Sequence, residues 1–340
     1  MKRPTAPLRL GFIGLGGIGH GSLKICVDDD LFCPVAGADV SPEMRDRAAE
    51  LLPGDVLFED YRDMIRSVPL DAVFIATPNV YHAPASIFAM QAGLDVCSEK
   101  PMTDSLASAK KVLAVARETG RLFMVAQNQR FRADTQWLKA EIESGLLGDV
   151  YRVHTRWVRR KSLCGDTWFR WKKMSGGGPL IDLGVHVMDL ALWLIGFPTP
   201  LRVSGSWGQY FCPGDTEDWA YGTIRLEGGA IMTCEVAEQA YIEKERTQVE
   251  ILGTKAGLVI GGDNGTVIYK TEHGSPVDIK PILDADWMDC RRKELRHFAE
   301  SAISGKPTLI PPEQSVQIMA IIDAIYRSGD SGKEIVLGKI

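Results

Sequence analysis

The sequence predicts an α/β protein in two parts. A doubly wound parallel sheet is expected over residues 1–128, and an α+β domain built on an antiparallel sheet over 129–340. Three observations predict it. Short apolar runs alternate with amphipathic runs through the first part. A glycine-rich turn joins the first apolar run to the first amphipathic one. In the second part, strand-like runs follow one another across short turns.

In the first part, strands are expected at 9–14, 34–39, 72–76, 95–98 and 122–127. Helices are expected between them at 18–27, 42–52, 61–67, 82–92 and 105–119. Ser105 reads as an N-cap, and Gly93 and Gly120 stand where left-handed residues close helices. A helix at 133–144 and a strand at 150–158 open the second part. At least five strand-like runs lie between Leu201 and Tyr269, separated by turn signals at 212–215, 227–230, 253–257 and 261–265. Helices at 287–304 and 313–328 and a strand at 334–337 close the chain.

Composition narrows the function. The chain has 340 residues, 45% hydrophobic and 24% charged, which suits an ordinary two-domain globular protein. A net charge of −5 argues against nucleic acid or an anionic membrane as partner. Seven cysteines (26, 33, 97, 164, 212, 234 and 290) are scattered and form no C-x-x-C pair. That pattern predicts free thiols in a reducing compartment and no zinc centre or other metal site. The apolar LRLGFIGLGGIG near the N-terminus is interrupted by Arg9 and by glycines, so it reads as a strand entering a turn rather than a signal peptide. No apolar run reaches the roughly 18 residues of a membrane span. A cytoplasmic protein is expected.

Gly14-Leu15-Gly16-Gly17-Ile18-Gly19 matches G-x-G-x-x-G, follows a strand and opens a helix. Asp39 stands at the end of the next strand, 20 residues beyond Gly19. This is the context of the Rossmann dinucleotide fingerprint, in which the backbone approaches a pyrophosphate and the acid binds the adenosine ribose. Gly14, Gly16, Ile18, Gly19 and Asp39 are therefore candidate cofactor contacts. Asp39 is followed by Val40-Ser41-Pro42 with no adjacent base, so NAD is expected over NADP; Arg45 is the residue that argues the other way. Ligands of open α/β sheets bind beyond the carboxyl ends of strands. Thr77, Pro78, Asn79 and His82 follow the third strand, Glu99-Lys100-Pro101 the fourth, and Gln127 ends the fifth. Lys100 is a candidate acid/base or alkoxide stabiliser, with a solvated loop lysine as the alternative.

The most informative stretch is GGGPLIDLGVHVMDLALWLIG at 176–196. From 180 to 195 it is apolar almost all round and should be a buried helix. It nevertheless carries Asp182, His186 and Asp189, which at about 100° per residue fall within roughly 60° of one another. Three polar groups on one face of a buried helix need partners. They are either a capping Asp with a satisfied core His, or an acid/base site facing a cleft between domains.

Together these residues resemble the Gfo/Idh/MocA oxidoreductase family. The resemblance rests on G-x-G-x-x-G (14–19), T-P-N…H (77–82), E-K-P (99–101), N-x-R-F (128–131) and G-G-G-x-x-x-D-x-G-x-H-x-x-D (176–189). It implies a Rossmann domain followed by an α+β domain with a large, mostly antiparallel open sheet, and NAD(P)-dependent oxidation of a secondary alcohol of a sugar or cyclitol. It casts His186 as general acid/base, Lys100 as stabiliser of the same oxygen, Asp182 as a substrate-binding or orienting group, and Asp189 as a supporting residue. The Lys100–Pro101 peptide is expected to be cis. Relatives carry Trp-Arg eight residues before the triple glycine; here Trp168-Phe169 stands there and Arg170 comes one place late. Trp168 and Arg170 remain candidate substrate contacts. They lie in a segment, 156–173, with seven Lys or Arg residues and Trp157, Trp168 and Trp171. It is either a solvated or oligomer-contact surface, or a lid that stacks on a sugar ring and pairs an acidic group.

The expected partner is a small sugar or polyol, in a homodimer or homotetramer joined through an apolar outer face of the antiparallel sheet. In 230–237, Ile231, Thr233, Glu235 and Ala237 share one side and Met232, Cys234 and Val236 the other. Two other functions fit the same motifs: a glycoside hydrolase that uses NAD transiently, and a non-catalytic regulator that senses nucleotide and sugar.

Overall fold

The structure is a computed structural model that describes residues 4–161, 167–283 and 286–338. The chain divides into two compact units. The first comprises Met1–Asn128 and Trp287–Val316, the second Gln129–Asp286 and Gln317–Ile340.

The first unit carries a parallel sheet of six strands: β1 (Leu8–Ile13), β2 (Phe32–Ala38), β3 (Leu57–Phe58), β4 (Ala72–Ile75), β5 (Asp95–Ser98) and β6 (Phe123–Val125). Their order is β3-β2-β1-β4-β5-β6. The connections are α1 (Gly17–Val27), α2 (Pro42–Ala48), α3 (Tyr61–Ser67), α4 (His82–Gln91) and α5 (Leu106–Thr119). The strand order reverses between β1 and β4, the place where doubly wound sheets open a crevice for ligands. Central strands are buried on both faces, as Val73, Phe74 and Ile75 show, which is why they read as unbroken apolar runs. The expected caps are present: Ser105 accepts from Ser108 N–H, and Gly120 closes α5 with φ 62°. β3 has only two residues, too few to leave a pattern in the sequence.

The first unit also takes in Trp287–Val316, with α9 (Trp287–Ser304), a stretch that the expected division at 128/129 left in the second part. Charge explains its return. Arg291 is buried and pairs with Glu99 at the end of β5 and with Glu294, while Arg296 pairs with Asp29 after α1. α10 (Pro312–Ser331) begins in the first unit and ends in the second.

The second unit carries nine strands. They are β7 (Val150–Val158), β8 (Pro200–Gly208), β9 (Trp219–Leu226), β10 (Ile231–Ala237), β11 (Arg246–Gly253), β12 (Ala256–Gly261), β13 (Val267–Glu272), β14 (Ser275–Ile279) and β15 (Ile335–Val336). The order is β14-β13-β12-β11-β7-β10-β9-β8-β15, and every pair is antiparallel except β7 with β10. α6 (Ala133–Glu143) precedes β7, and α7 (Lys172–Ser175) precedes the apolar stretch singled out above. That stretch begins as a π turn, Leu180–Gly184, and continues as α8 (Val185–Leu194). By length and composition Lys172–Leu194 could cross a membrane; in this fold it is a core helix, mostly buried in the protein. Val153, Met232, Cys234, Val236, Val249 and Ile251 form the covered side of the sheet.

The opposite side of β7, β10 and β11 does not show the expected surplus of apolar positions. Across β7 and β10, His154 Nδ1 lies 2.8 Å from Thr233 Oγ1, and Arg156 pairs with Glu235 at 3.0 Å. Arg152 stands 4.0 Å from Glu250 on β11. A ladder of polar pairs lets a half-exposed sheet face meet water.

Asp189 is settled by N-x-R-F. Arg130 Nε and Nη2 donate to its two carboxylate oxygens at 2.8 and 2.6 Å, and neither side chain is exposed. The guanidinium also lies 5.1 Å from the Phe197 ring centre. Removing one partner of such a pair leaves a bare buried charge. Asp189→Ala should therefore lower unfolding free energy by about 3–5 kcal/mol in urea titrations. A loss below about 1 kcal/mol, the scale of an exposed pair, would deny the pair this role.

Candidate active site

The glycine turn in the first unit has the geometry the fingerprint demands. Gly14 adopts φ 91°, and a Cβ there would overlap the Ala76 carbonyl at the end of β4. A Cβ on Gly19 would overlap the Gly14 carbonyl. Both glycines serve close packing of turn, strand and helix. Gly16 and Gly17 differ, because a Cβ on either would meet nothing within 4 Å. That open side, at the start of α1, is where a phosphate can approach the backbone. Ile18 is exposed beside it.

Asp39 holds the turn. Its Oδ2 accepts from Leu15 N–H at 2.7 Å and its Oδ1 from Ser41 N–H at 2.9 Å. Arg45, the residue that argued for NADP, donates from Nη1 to the Asp39 carbonyl at 2.6 Å. Farther along the sheet, Thr77 Oγ1 and Gln127 Oε1 are buried with no hydrogen-bond partner among the described residues. Orphaned acceptors at strand ends, an open glycine turn and an acid on β2's end together fit a dinucleotide.

His82, Glu99 and Lys100 sort differently. His82 is buried, and its ring nitrogens lie 2.8 Å from the carbonyl oxygens of Pro101 and Thr77. It ties the turn after β4 to the turn after β5. Burial pushes its pKa below the usual histidine value, and the two carbonyls pull it back. Glu99 spends its carboxylate on Arg291 and on Lys100 N–H. Both side chains thus shape the turns, and their own atoms are engaged inside the unit. Lys100 remains half-buried, and the Lys100–Pro101 peptide is cis as expected. Asn79 is buried at the start of the turn leading into α4.

In the second unit, every residue from Gly177 to Leu194 is buried except Asp182 and His186. Asp182 lies in the π turn and His186 and Asp189 in the regular helix after it, and the three do not share one surroundings as expected. Asp189 faces Arg130 in the core, while Asp182 and His186 keep partial exposure. Arg159 Nη1 lies 3.9 Å from Asp182 Oδ2, and it donates to both oxygens of Glu238 at 3.0 and 2.8 Å. The His186 ring lies against Trp157, with centres 5.6 Å apart. Trp168 stacks on Phe169 at 3.8 Å, and Arg170 lines a pocket with Asp182.

The triple glycine is built for closeness. A Cβ on Gly177 would overlap the Tyr326 hydroxyl, and one on Gly178 the Glu217 carbonyl. Glu217, buried, accepts from Gly178 N–H at 2.8 Å, Leu180 N–H at 3.1 Å and Tyr326 Oη–H at 2.8 Å. It caps the helix that presents Asp182 and His186. Sequence reading missed Glu217, Asp218, Arg159 and Glu238. The only signal was an acidic pair, Glu217-Asp218, entering an apolar strand.

Family models match both units of the chain. One, an oxidoreductase family NAD-binding Rossmann fold, covers residues 8–127; the other, the C-terminal alpha/beta domain of the same family, covers 139–337. The chain belongs to the Gfo/Idh/MocA oxidoreductase family. It is similar to D-glucoside 3-dehydrogenase of Escherichia coli strain K12, at 30% identity over 352 residues and 98% of each chain. It is also similar to the scyllo-inositol 2-dehydrogenase (NAD(+)) of Bacillus subtilis strain 168, at 28% identity, covering 89% of this chain and 88% of that one. Among solved structures, a levoglucosan dehydrogenase in complex with NADH shares the fold, with TM-score 0.89 and 22% identity over 98% of this chain and 100% of that one. This Gfo/Idh/MocA chain is thus an oxidoreductase with an NAD(P)-binding Rossmann domain.

Burial raises the Glu217 pKa above its ordinary 4.5, and its three donors only partly offset that. The folded state therefore holds this proton more tightly than the unfolded chain. Glu217 contributes its full stability below the ordinary value and loses it as pH rises through the raised one. Glu217→Gln stays neutral throughout, so wild type should lose stability relative to it over that window. Urea midpoints of both proteins measured from pH 4 to 7 check this, and a constant difference would contradict it.

Proposed function

We propose that this chain is an NAD-dependent dehydrogenase that oxidises a secondary alcohol of a sugar, sugar derivative or cyclitol. The observation that carries the reading is the buried helix on which only Asp182 and His186 reach toward solvent. A fold that buries every other residue of that stretch reserves those two for a ligand. The names of the similar dehydrogenases, which specify glucosides and inositols, support the same substrate class.

His186 takes the proton of the reacting hydroxyl as general base. Lys100 donates to the same oxygen and steadies its developing negative charge. Asp182 accepts from a neighbouring hydroxyl, with Arg159 beside it to orient it. When bound, the nicotinamide supplies the hydride acceptor. Gly14, Gly16, Ile18 and Gly19 would hold the pyrophosphate side, and Asp39, Thr77, Pro78, Asn79 and Gln127 the rest. The alcohol thus loses one hydride and one proton and becomes a ketone.

Asp39 sets NAD above NADP, since its carboxylate would repel a 2′-phosphate and Arg45 is drawn onto the Asp39 carbonyl. The expected homodimer or homotetramer belongs to this reading, and light scattering that finds only a 37.4 kDa species would remove it.

Titration should show tighter binding of NAD than NADP, with the gap narrowed in Asp39→Ala. A wild-type preference for NADP of about tenfold or more would overturn the Asp39 argument.

Lys100→Met and His186→Ala should each lower kcat by about 10²–10⁴-fold and leave NAD affinity nearly unchanged. Stopped-flow or steady-state NADH absorbance reads the first quantity and fluorescence titration the second. Near-normal kcat in His186→Ala would return that residue to a packing role.

A further inference from the structure

The basic, tryptophan-rich segment before the triple glycine looks suited to an acidic substrate. Three of its seven cations are engaged within the protein. Arg156 pairs with Glu235, Arg159 donates to both oxygens of Glu238, and Arg160 donates to the Glu243 carbonyl. The pocket beside Asp182 has the opposite character. Its ionisable lining is Arg170 with Asp182, Glu217, Asp218 and Glu238.

Asp218 is the decisive group. It is fully buried. Its Oδ2 accepts from three successive backbone N–H groups, those of Tyr210, Phe211 and Cys212. Such a nest fixes the orientation of a carboxylate. Its Oδ1 is buried and has no hydrogen-bond partner among the described residues. A carboxylate oxygen held in place without a donor is costly unless a ligand brings one.

We propose that this pocket receives a hydrogen-bond-donating substituent of the substrate ring, a hydroxyl or an ammonium, with Asp218 Oδ1 as its acceptor, and that it thereby selects neutral and amino sugars over uronates. This rests on the dehydrogenase reading and specifies its substrate class. A carboxylate in that position would leave Asp218 without a donor and would face a second negative charge in a poorly solvated place. A hydroxyl or ammonium supplies the missing donor.

The test uses three rings that differ only at C6: D-glucose, 6-amino-6-deoxy-D-glucose (a glucosamine with its ammonium at C6) and D-glucuronate. Each is offered with NAD while NADH absorbance is followed. Binding to the NADH-loaded protein is measured by calorimetry, which judges the pocket even for a ring that is not turned over. Wild type should favour glucose and the amino sugar over glucuronate by about a hundredfold or more in affinity or kcat/KM. Asp218→Asn can keep its oxygen in the nest and turn an amide donor toward the pocket. It should weaken glucose and the amino sugar by about tenfold or more, chiefly in KM, and shrink the glucuronate penalty by a similar factor. Thermal unfolding and NAD affinity confirm that the variant is folded, and the wild-type ranking stands as a test without it. Glucuronate bound as well as glucose by wild type, or unchanged KM values in a folded Asp218→Asn, would overturn the proposal. Absence of NAD reduction across these and a wider set of polyols, with the binding order intact, would count against the dehydrogenase reading and leave the pocket standing.

Discussion

A carboxylate cut off from water must have donors, and Asp189 takes those of Arg130. Much of the second unit follows from that pair. Arg130 lies just before α6, and Asp189 lies midway along α8. Their two-pronged contact fixes the rotation of α8 about its axis, since a planar guanidinium accepts a carboxylate in few orientations. Glu217 fixes the same helix at its other end, through Gly178 N–H and Leu180 N–H. With rotation and entry both set, the positions of Asp182 and His186 are no longer free. Both anchors serve the placement of these two partly exposed residues.

The first unit uses the same economy with weaker materials. Asp39 holds the glycine turn through Leu15 N–H, and His82 spans the carbonyls of Thr77 and Pro101. These ties join the ends of β1 and β2 and the ends of β4 and β5. The side chains that shape these strand ends are buried or spoken for, while Thr77 Oγ1 and Gln127 Oε1 are buried without a partner among the described residues. That division between holding and offering is what a binding site requires.

Local pattern revealed the first unit's strands because parallel strands buried on both faces are unbroken apolar runs, as at Ala72–Ile75. It revealed the helix at 180–194 for the same reason. It did not reveal that Asp189 and Asp182 differ, because Asp182 lies in a π turn and no periodicity of side chains announces one. Nor could it show that Arg130 is the partner of Asp189, 59 residues away, or that Glu217 caps the triple glycine. Partnerships across such distances in sequence are properties of the fold. The polar ladder on the outer sheet face escaped for a related reason. Thr233 and Glu235 look like plain surface until His154 and Arg156 are seen opposite them in register. Cys164 lies outside the described residues, while the six described cysteines are free as expected.

The pairing of Glu99 with Arg291 spans 192 residues of chain. Translation proceeds from one end, so the five strands and helices around Glu99 leave the ribosome long before their cation exists. Until then an acid that the finished protein buries has only water for company, and the sheet edge near β5 must stay open enough to admit it. The nucleotide-binding half therefore cannot complete its own interior when its last strand, β6, emerges. It waits for a helix encoded after eight of the nine strands of the second sheet, with only β15 still to come.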